Sequence, residues 1–397
     1  MKLNIKFTIC FLVVCRLLLA QQLSMDEAVA VAMTNHPVAR NIVLAQQNDA
    51  LMQSQAVELE PLQVKYWQRS ALAGNDRLWS VTQNFGAIPE HFQRSRHYRS
   101  MASARQAERI LTLDKLAWQV KSAYMDVVYC RRRLQIMQEH SHYFEALISV
   151  AEVHLAADSI TELERVSAGT RYAVYQSWMY IAEEELNRAE TLLCQLMYLP
   201  VGAIEVGETD LSLYQIHSEK PLNERFEPVK HKAMGEAQLQ EAQSLVKLEK
   251  SRLWPAVHAG YISQHIEGMN NYQGWMAGLS VPLWAFPQRA RIKQAEIDVK
   301  MKANETEYRQ FADILHVETL KSLLNEYFVQ ISLSKENMLI EANLTLEEVE
   351  KDFAASRITN YAEALSKVSN AVSAKLNHLD YLNLYNQTAL ELEFYTQ

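Results

Sequence analysis

The chain is 397 residues long, 49% hydrophobic and 22% charged, with a formal net charge of −8 at pH 7. That acidic balance excludes a nucleic-acid partner, because phosphate binding needs a basic face. Only ten glycines and nine prolines occur, so few positions interrupt a helix and long unbroken helices are expected.

The first twenty residues stand apart. Lys2 and Lys6 precede an apolar run from Phe7 to Leu19, and Ala20 is followed by the polar QQLSMDEA. This reads as a secretory signal cleaved after Ala20. The run is shorter than the ~20 apolar residues of a spanning helix, and Arg16 interrupts it. A lipoprotein anchored at Cys15 is the other reading, although Val13 and Val14 make a poor lipobox and RLLLA would be left on the mature chain. Cleavage removes Lys2, Lys6 and Arg16 and no acid, leaving 36 basic against 47 acidic residues and a net charge of −11. Cys130 and Cys194 remain. They lie roughly 28 and 36 residues from a fold-back near Asp158, a mismatch of about 12 Å along paired helices, beyond the reach of a disulfide. Two unpaired, buried thiols are expected. No later segment is long and apolar enough for a transmembrane helix.

In chain order, a helix is expected from about Ser24 to Glu60, with Asp26 and Glu27 at its positive end. Strands follow in PLQVKYWQRS (Pro61 to Ser70) and RLWSVTQNFG (Arg77 to Gly86), flanking ALAGND. From about Glu90 to Leu155, Ile110, Leu113, Ala117, Val120, Tyr124 and Val127 recur at alternating spacings of three and four, the seam of a coiled coil. A helix of that length is roughly 90 Å long, so an elongated molecule is expected. The segment AADSIT ends it, and a second helical run covers Leu163 to Met197.

The chain then repeats itself about 195 positions later. Pro61 answers to Pro255, Pro89 to Pro282, and AADSIT (Ala156 to Thr161) to AASRIT (Ala354 to Thr359). A period this long is a duplicated half rather than a solenoid unit. The expected organisation is a leader over 1–20, a first repeat over 21–200, a linker or equatorial segment over 201–227 and a second repeat over 228–397. The second repeat offers a helix from Pro228 to Trp254, strands Pro255 to Gln264 and Gly274 to Leu283 around EGMNNY, and a last helix from Tyr361 to Tyr395. Between them Tyr308, Phe311 and Leu315 carry the helical rhythm before Leu320, Leu324, Tyr327 and Ile331 shift its phase. The fold class is mainly α with a small β part.

Within the strands, Leu62, Val64, Tyr66, Trp79, Val81, Phe85, Trp275 and Leu279 are candidate membrane-facing residues, alternating with polar ones such as Gln63, Lys65, Ser80 and Thr82. Strands of about ten residues with this alternation fit an outer-membrane barrel, and equally a half-buried soluble hairpin packed on helices. In lipid every backbone polar group must be paired, so a sheet must close, and barrels need about eight strands or more. Four strands cannot close alone. A symmetric ring of three chains supplies twelve, with the helices continuing as a hollow tube.

Three stretches carry a resemblance: LSMDEAVAVAMTNHPVARNIVLAQQNDAL with Asn35, His36 and Pro37, then SRLWPAVHAGYIS, followed by WMAGLSVPLWAFPQRARIKQAEIDVK. In order, spacing and duplication the chain resembles the TolC-like family of outer-membrane efflux channels over essentially its whole mature length. The resemblance implies a homotrimer with a twelve-stranded barrel on a periplasmic α-helical tunnel. It also implies a periplasmic adaptor (membrane fusion) protein and an inner-membrane pump of the RND type as partners. Adaptor contact is expected at the hairpin tips, Asp158, Ser159, Ile160 and Thr161 and Ser356, Arg357, Ile358 and Thr359. Family members often have a glycine pair after the last strand, where this chain has Ala285, Phe286 and Pro287, and a glycine at the tips, where it has Asp158 and Ser356. The first departure is similar to the heavy-metal branch.

No catalytic constellation stands out, and no cofactor or metal set is expected. His140 and His142, two apart on a helix, face different directions, and His258 and His265 fall on opposite faces of a strand. Met125, Met137 and Met197 read as packing residues. Glu162, Glu164, Glu350 and Asp352 are either a solvated face or candidate pore-lining acids at a cation-selective constriction. The expected function is a passive exit duct for metal cations or small toxic compounds. The alternative is a soluble exported coiled-coil adaptor or scaffold, although an adaptor would carry one helical hairpin inside a glycine-rich β-domain, not two hairpins and two strand pairs.

Overall fold

The computed structural model describes residues 21–71, 74–156, 160–208, 210–216, 229–266, 269–354 and 361–396. The leader therefore lies outside the described residues. In chain order the elements are β1 (Gln21–Leu23), α1 (Met25–Asn35), α2 (Pro37–Ser54), β2 (Gln63–Ala71), β3 (Gly74–Gly86), α3 (Ile88–Ala156) and α4 (Glu162–Met197). They continue as β4 (Ile204–Val206), α5 (Val229–Ser251), β5 (Ala256–Ile266), β6 (Met269–Ser280), α6 (Phe286–Leu333), a π-helical turn (Ser334–Met338), α7 (Leu339–Ala354) and α8 (Tyr361–Thr396). The chain is mainly helical with a small antiparallel sheet.

Three expectations need correction. The single opening helix is two, because His36 is extended (φ −64°, ψ 132°): the ring of Pro37 disfavours a helical conformation in the residue before it. The helices stop at Ser54, well short of Glu60. The last strand ends at Ser280, short of Leu283. Within the linker, β4 pairs in parallel with β1, Gln21 opposite Ile204 and Leu23 opposite Val206.

The chain forms two compact units, and each draws on both repeats. The first falls within Met1–Arg40, Thr112–Glu227 and Ile314–Gln397. Its core joins Leu23, Ala28 and Ala32 to Val120, Tyr124 and Val127 of α3, Leu193 and Met197 of α4, Val317 and Leu320 of α6, and Leu390 and Leu392 of α8. The Tyr124 hydroxyl donates to the Leu23 carbonyl at 2.9 Å, tying the first strand to the long helix. Residues 211–216 are strapped to α8. The Tyr214 amide donates to Asn386 Oδ1 at 2.8 Å, the Asn386 amide donates back to the Ser212 carbonyl, and the Tyr214 hydroxyl donates to Glu393. A second cluster gathers Met137, Phe144 and Leu147 with Tyr175, Leu346, Val349 and Val368.

The π turn has a readable cause. Val317, Leu320, Leu324, Ile331 and Ser334 are buried, which sets a seam alternating by three and four. Continued on a straight helix, that rhythm reaches positions 341, 345 and 348, yet the buried residues are Ala342, Leu346 and Val349. Each comes one residue late, and a π turn absorbs one extra residue.

The second unit falls within Asn41–Leu111 and Pro228–Asp313. Asp49 of α2, 7% exposed, is gripped by Arg105 and Arg109 of α3. Burial opposes its charge, but the two guanidiniums hold its carboxyl below the usual range. Where α5 meets α6, a Cβ on Gly235 would lie 2.6 Å from the Thr306 methyl, so only glycine allows this approach. The four-stranded sheet, ordered β2-β3-β5-β6 and antiparallel throughout, belongs to this unit.

Candidate functional site

Pairing register sorts the sheet into two faces, because directly opposed residues share a face. Val64 opposes Val81 and Tyr66 opposes Trp79. Val81 in turn opposes Tyr261, and Tyr261 opposes Trp275 while Val257 opposes Leu279. One face thus carries Val64, Tyr66, Trp79, Val81, Trp275 and Leu279, joined by Val257, Ala259, Tyr261 and Ala277. The Tyr66 and Trp79 ring centroids are 4.7 Å apart and those of Tyr261 and Trp275 5.2 Å. Leu62 lies just before β2, and Phe85 is the extra residue of a bulge between Asn84 and Gly86. Trp275 is 88% exposed, and Leu62, Val64, Tyr66, Trp79, Phe85 and Leu279 are exposed as well. Sequence reading overlooked Tyr261, whose partner is visible only once β5 and β6 are in register.

The other face carries Lys65, Arg69, Ser80, Thr82, Asn84, His258 and Gln264, with Leu78, Ile262 and Met276 among them. It is the more enclosed side. Ser80 and Gly260 are buried, and in β6 Met276 and Gly278 are half-buried while Trp275, Ala277 and Leu279 are exposed. A Cβ on Gly260 would meet the Val81 carbonyl at 2.9 Å, so glycine is needed there for close cross-strand packing, while one on Gly278 would have to displace the His258 ring, 2.2 Å away. The outer edges of β2 and β6 have no strand partner among the described residues.

One end of the sheet is ringed by large apolar side chains. Ala256 opposes Ser280 and Gly86 opposes Val257, so the residues beyond these strand ends gather there. Leu62, Ile88, Trp254, Val281, Leu283 (83%), Trp284 (81%) and Phe286 (71%) are all exposed.

Of the candidate tip residues, Asp158, Ser159, Ser356, Arg357, Ile358 and Thr359 lie outside the described residues. Ile160 packs on the second cluster of the first unit. Thr161 is the N-cap of α4: its hydroxyl accepts from the Glu164 amide at 3.3 Å, and the Glu164 carboxylate accepts from the Thr161 amide at 2.8 Å. These bonds lower the Glu164 carboxyl, and Arg165 lowers Glu162 through a bond of 2.6 Å. Both acids are thus engaged within their own helical turn. Glu350 is exposed and Asp352 half-buried near the end of α7.

Cys130 and Cys194 are separate, buried thiols. Burial pushes Cys130 up to about 11 and also raises Cys194, leaving both unreactive. Among the described residues no three His, Cys, Asp or Glu side chains gather as a metal site, and no helix is long and apolar enough to cross a membrane.

No protein-family model and no curated protein matches the chain. Solved structures do. A structure of CusC, whose description refers to transmembrane channel formation, superposes with a TM-score of 0.77 at 14% identity, covering 96% of both chains. The CmeC outer membrane channel of Campylobacter jejuni gives 0.75 at 9% identity over 93% of this chain and 85% of its own. The outer membrane protein VceC of Vibrio cholerae gives 0.75 at 11% identity over 93% and 94%. Along nearly its whole described length, the chain has the fold of outer-membrane channel proteins.

Proposed function

We propose that this chain is one protomer of a TolC-like outer-membrane exit duct, a homotrimer that passively conducts substrate from periplasm to exterior. The observation that carries the reading is the sheet: four long strands, an exposed aromatic and aliphatic face, a second, more enclosed face with many polar side chains, and two open edges. In hydrocarbon an open edge leaves amides and carbonyls unpaired at several kcal/mol each. Pairing β6 of one copy with β2 of the next removes both edges, and three copies close a twelve-stranded barrel. Val64, Tyr66, Trp79, Val81, Phe85, Trp275 and Leu279 then face lipid, with Leu62 and the apolar ring at the interface. The polar face lines the pore.

The neighbours described as outer-membrane proteins, CmeC and VceC, support an outer-membrane location; on this reading the helices extend into the periplasm and the tips Asp158–Thr161 and Ser356–Thr359 are offered to an adaptor and, through it, an RND-type pump. Glu162, Glu164, Glu350 and Asp352 stand next to those tips in sequence and give that mouth an acidic character suited to cations. Metal cations or small toxic compounds are the proposed cargo, with Phe286 and Pro287 favouring the heavy-metal branch. No bond is made or broken in transit.

The test is a heat-modifiability assay on outer membranes from cells expressing the chain, read against the 45.6 kDa precursor. A detergent-resistant outer-membrane band near three times the mature mass is expected. A soluble periplasmic monomer or dimer would overturn the duct in favour of the coiled-coil scaffold.

A further inference from the structure

Both repeats carry the same short basic motif where a helix leaves the sheet. Gln93-Arg94-Ser95-Arg96 lies near the start of α3 and Gln288-Arg289-Ala290-Arg291 near the start of α6. Register puts both helix starts at one end of the sheet, the end ringed by Ile88, Trp254, Leu283, Trp284 and Phe286. Arg94 is held by Glu90 at 2.6 Å. Arg96, Arg289 and Arg291 are exposed and make no ion pair among the described residues. Their position is electrostatically unusual. The first turn of α6 contains no acid, and cations near a helix N-terminus oppose its dipole. On an acidic chain, three solvent-facing guanidiniums beside an apolar ring fit a surface that is itself apolar with an anionic border.

We propose that Arg96, Arg289 and Arg291 form a basic collar that binds the phosphate headgroups of anionic phospholipid at the periplasmic leaflet. This rests on the membrane-spanning reading of the sheet. The occupant follows from continuity and charge. The outward face of β6 runs through Leu279 to Val281 and Leu283, all exposed, and the arginines begin a few residues further on. Guanidinium pairs with phosphate oxygens through two parallel hydrogen bonds, and juxtamembrane basic residues gain most from anionic lipid. The collar fixes how deep the barrel sits, with the aromatic ring in the acyl boundary and the guanidiniums among the headgroups.

The experiment is native mass spectrometry of the detergent-purified full chain, titrated with phosphatidylglycerol or phosphatidylcholine. Wild type is expected to retain phosphatidylglycerol in preference to phosphatidylcholine. Arg96→Gln and Arg291→Gln should each weaken phosphatidylglycerol about fivefold, whereas Arg171→Gln, at an exposed position on α4, should leave it unchanged. Equal retention by Arg96→Gln, Arg291→Gln and wild type, equal binding of the two lipids, or displacement of phosphatidylglycerol by inorganic phosphate would each overturn the collar. Arg96 and Arg291 are exposed, and the heat-modifiable band checks that the single variants fold. Absence of that band in wild type would instead remove the duct reading itself.

Discussion

His140 Nδ1 lies 2.7 Å from the Ile136 carbonyl and so must donate to it, which leaves Nε2 bare to accept from the Lys375 ammonium at 3.1 Å. His378 Nδ1 meets the Ser334 hydroxyl at 2.6 Å. Burial lowers both imidazoles, helped by Lys375 beside His140 and by Lys335 beside His378, and burial lowers Lys375 too. Glu139, His142 and Arg132 share this field. A histidine lowered on folding binds fewer protons in the native state than in the unfolded one, whose value is near 6.5. Its stabilising contribution is complete above that pH and is lost as pH falls below it. Heat stability of the purified protein is therefore expected to drop between pH 7.5 and 5. His140→Gln should flatten that slope by up to one proton, with His97, also lowered chiefly by burial, maintaining part of it. An unchanged slope in the variant would show that His140 is not the group responsible. None of this was legible in sequence, where His140 is weighed only beside His142 as a metal ligand, because the Lys375 partner is 235 residues away. The alternation of Val64, Tyr66, Trp79 and Val81 was legible, since strand geometry alone puts every second residue on one face. So was the Thr-x-x-Glu pattern of Thr161 and Glu164, a capping box, although the sequence reading weighs Glu164 only as part of a solvated face or as a pore-lining acid.

At the scale of elements, the ends of α3, α4 and α8 were readable to within a residue or two because caps and breakers are local, whereas the opening helices stop six residues before Glu60. The α1–α2 break at Pro37, the β1–β4 pairing and the π turn were not, the last because its only trace is a seam that arrives one residue late. That arithmetic yields a test. Deleting Glu336, which is exposed within the π turn, would move Ala342, Leu346 and Val349 to the places a straight helix requires. The deletion should cost little more than the Ser334 contacts, leaving the melting temperature within a few degrees of wild type. Deleting Glu326, exposed in the regular part of α6, rotates every later residue by about 100°. It should take Ile331 out of the core and shift Ser334 onward, with a cost of at least ~2 kcal/mol for the lost side chain. Thermal unfolding of the two deletions side by side decides the matter: equal damage would mean the π turn is not a one-residue insertion in the seam.

At the scale of the whole molecule, the second unit presents an apolar seam left exposed among the described residues. Ile297, Met301, Tyr308 and Phe311 on α6 are 57%, 62%, 71% and 61% exposed, and with Asn304 they alternate by four and three, the spacing of a helix that packs against another. Sequence reading took Tyr308 and Phe311 for the same kind of seam as Val120 and Tyr124, which are fully buried. Periodicity shows that a face is apolar but not whether its partner lies in the same chain. Burying one such side chain stabilises by about 1.5–3 kcal/mol, so leaving four in water favours assembly, and under the proposed duct a neighbouring copy would be the occupant. Tyr308→Glu combined with Phe311→Glu places two like charges on that seam without touching the core of either unit. The detergent-resistant oligomer is expected to disappear, leaving a monomer whose circular dichroism is as helical as wild type. Loss of helicity together with the oligomer would mean the seam is instead required for the fold of the protomer, and an intact oligomer would place the subunit contact on another face.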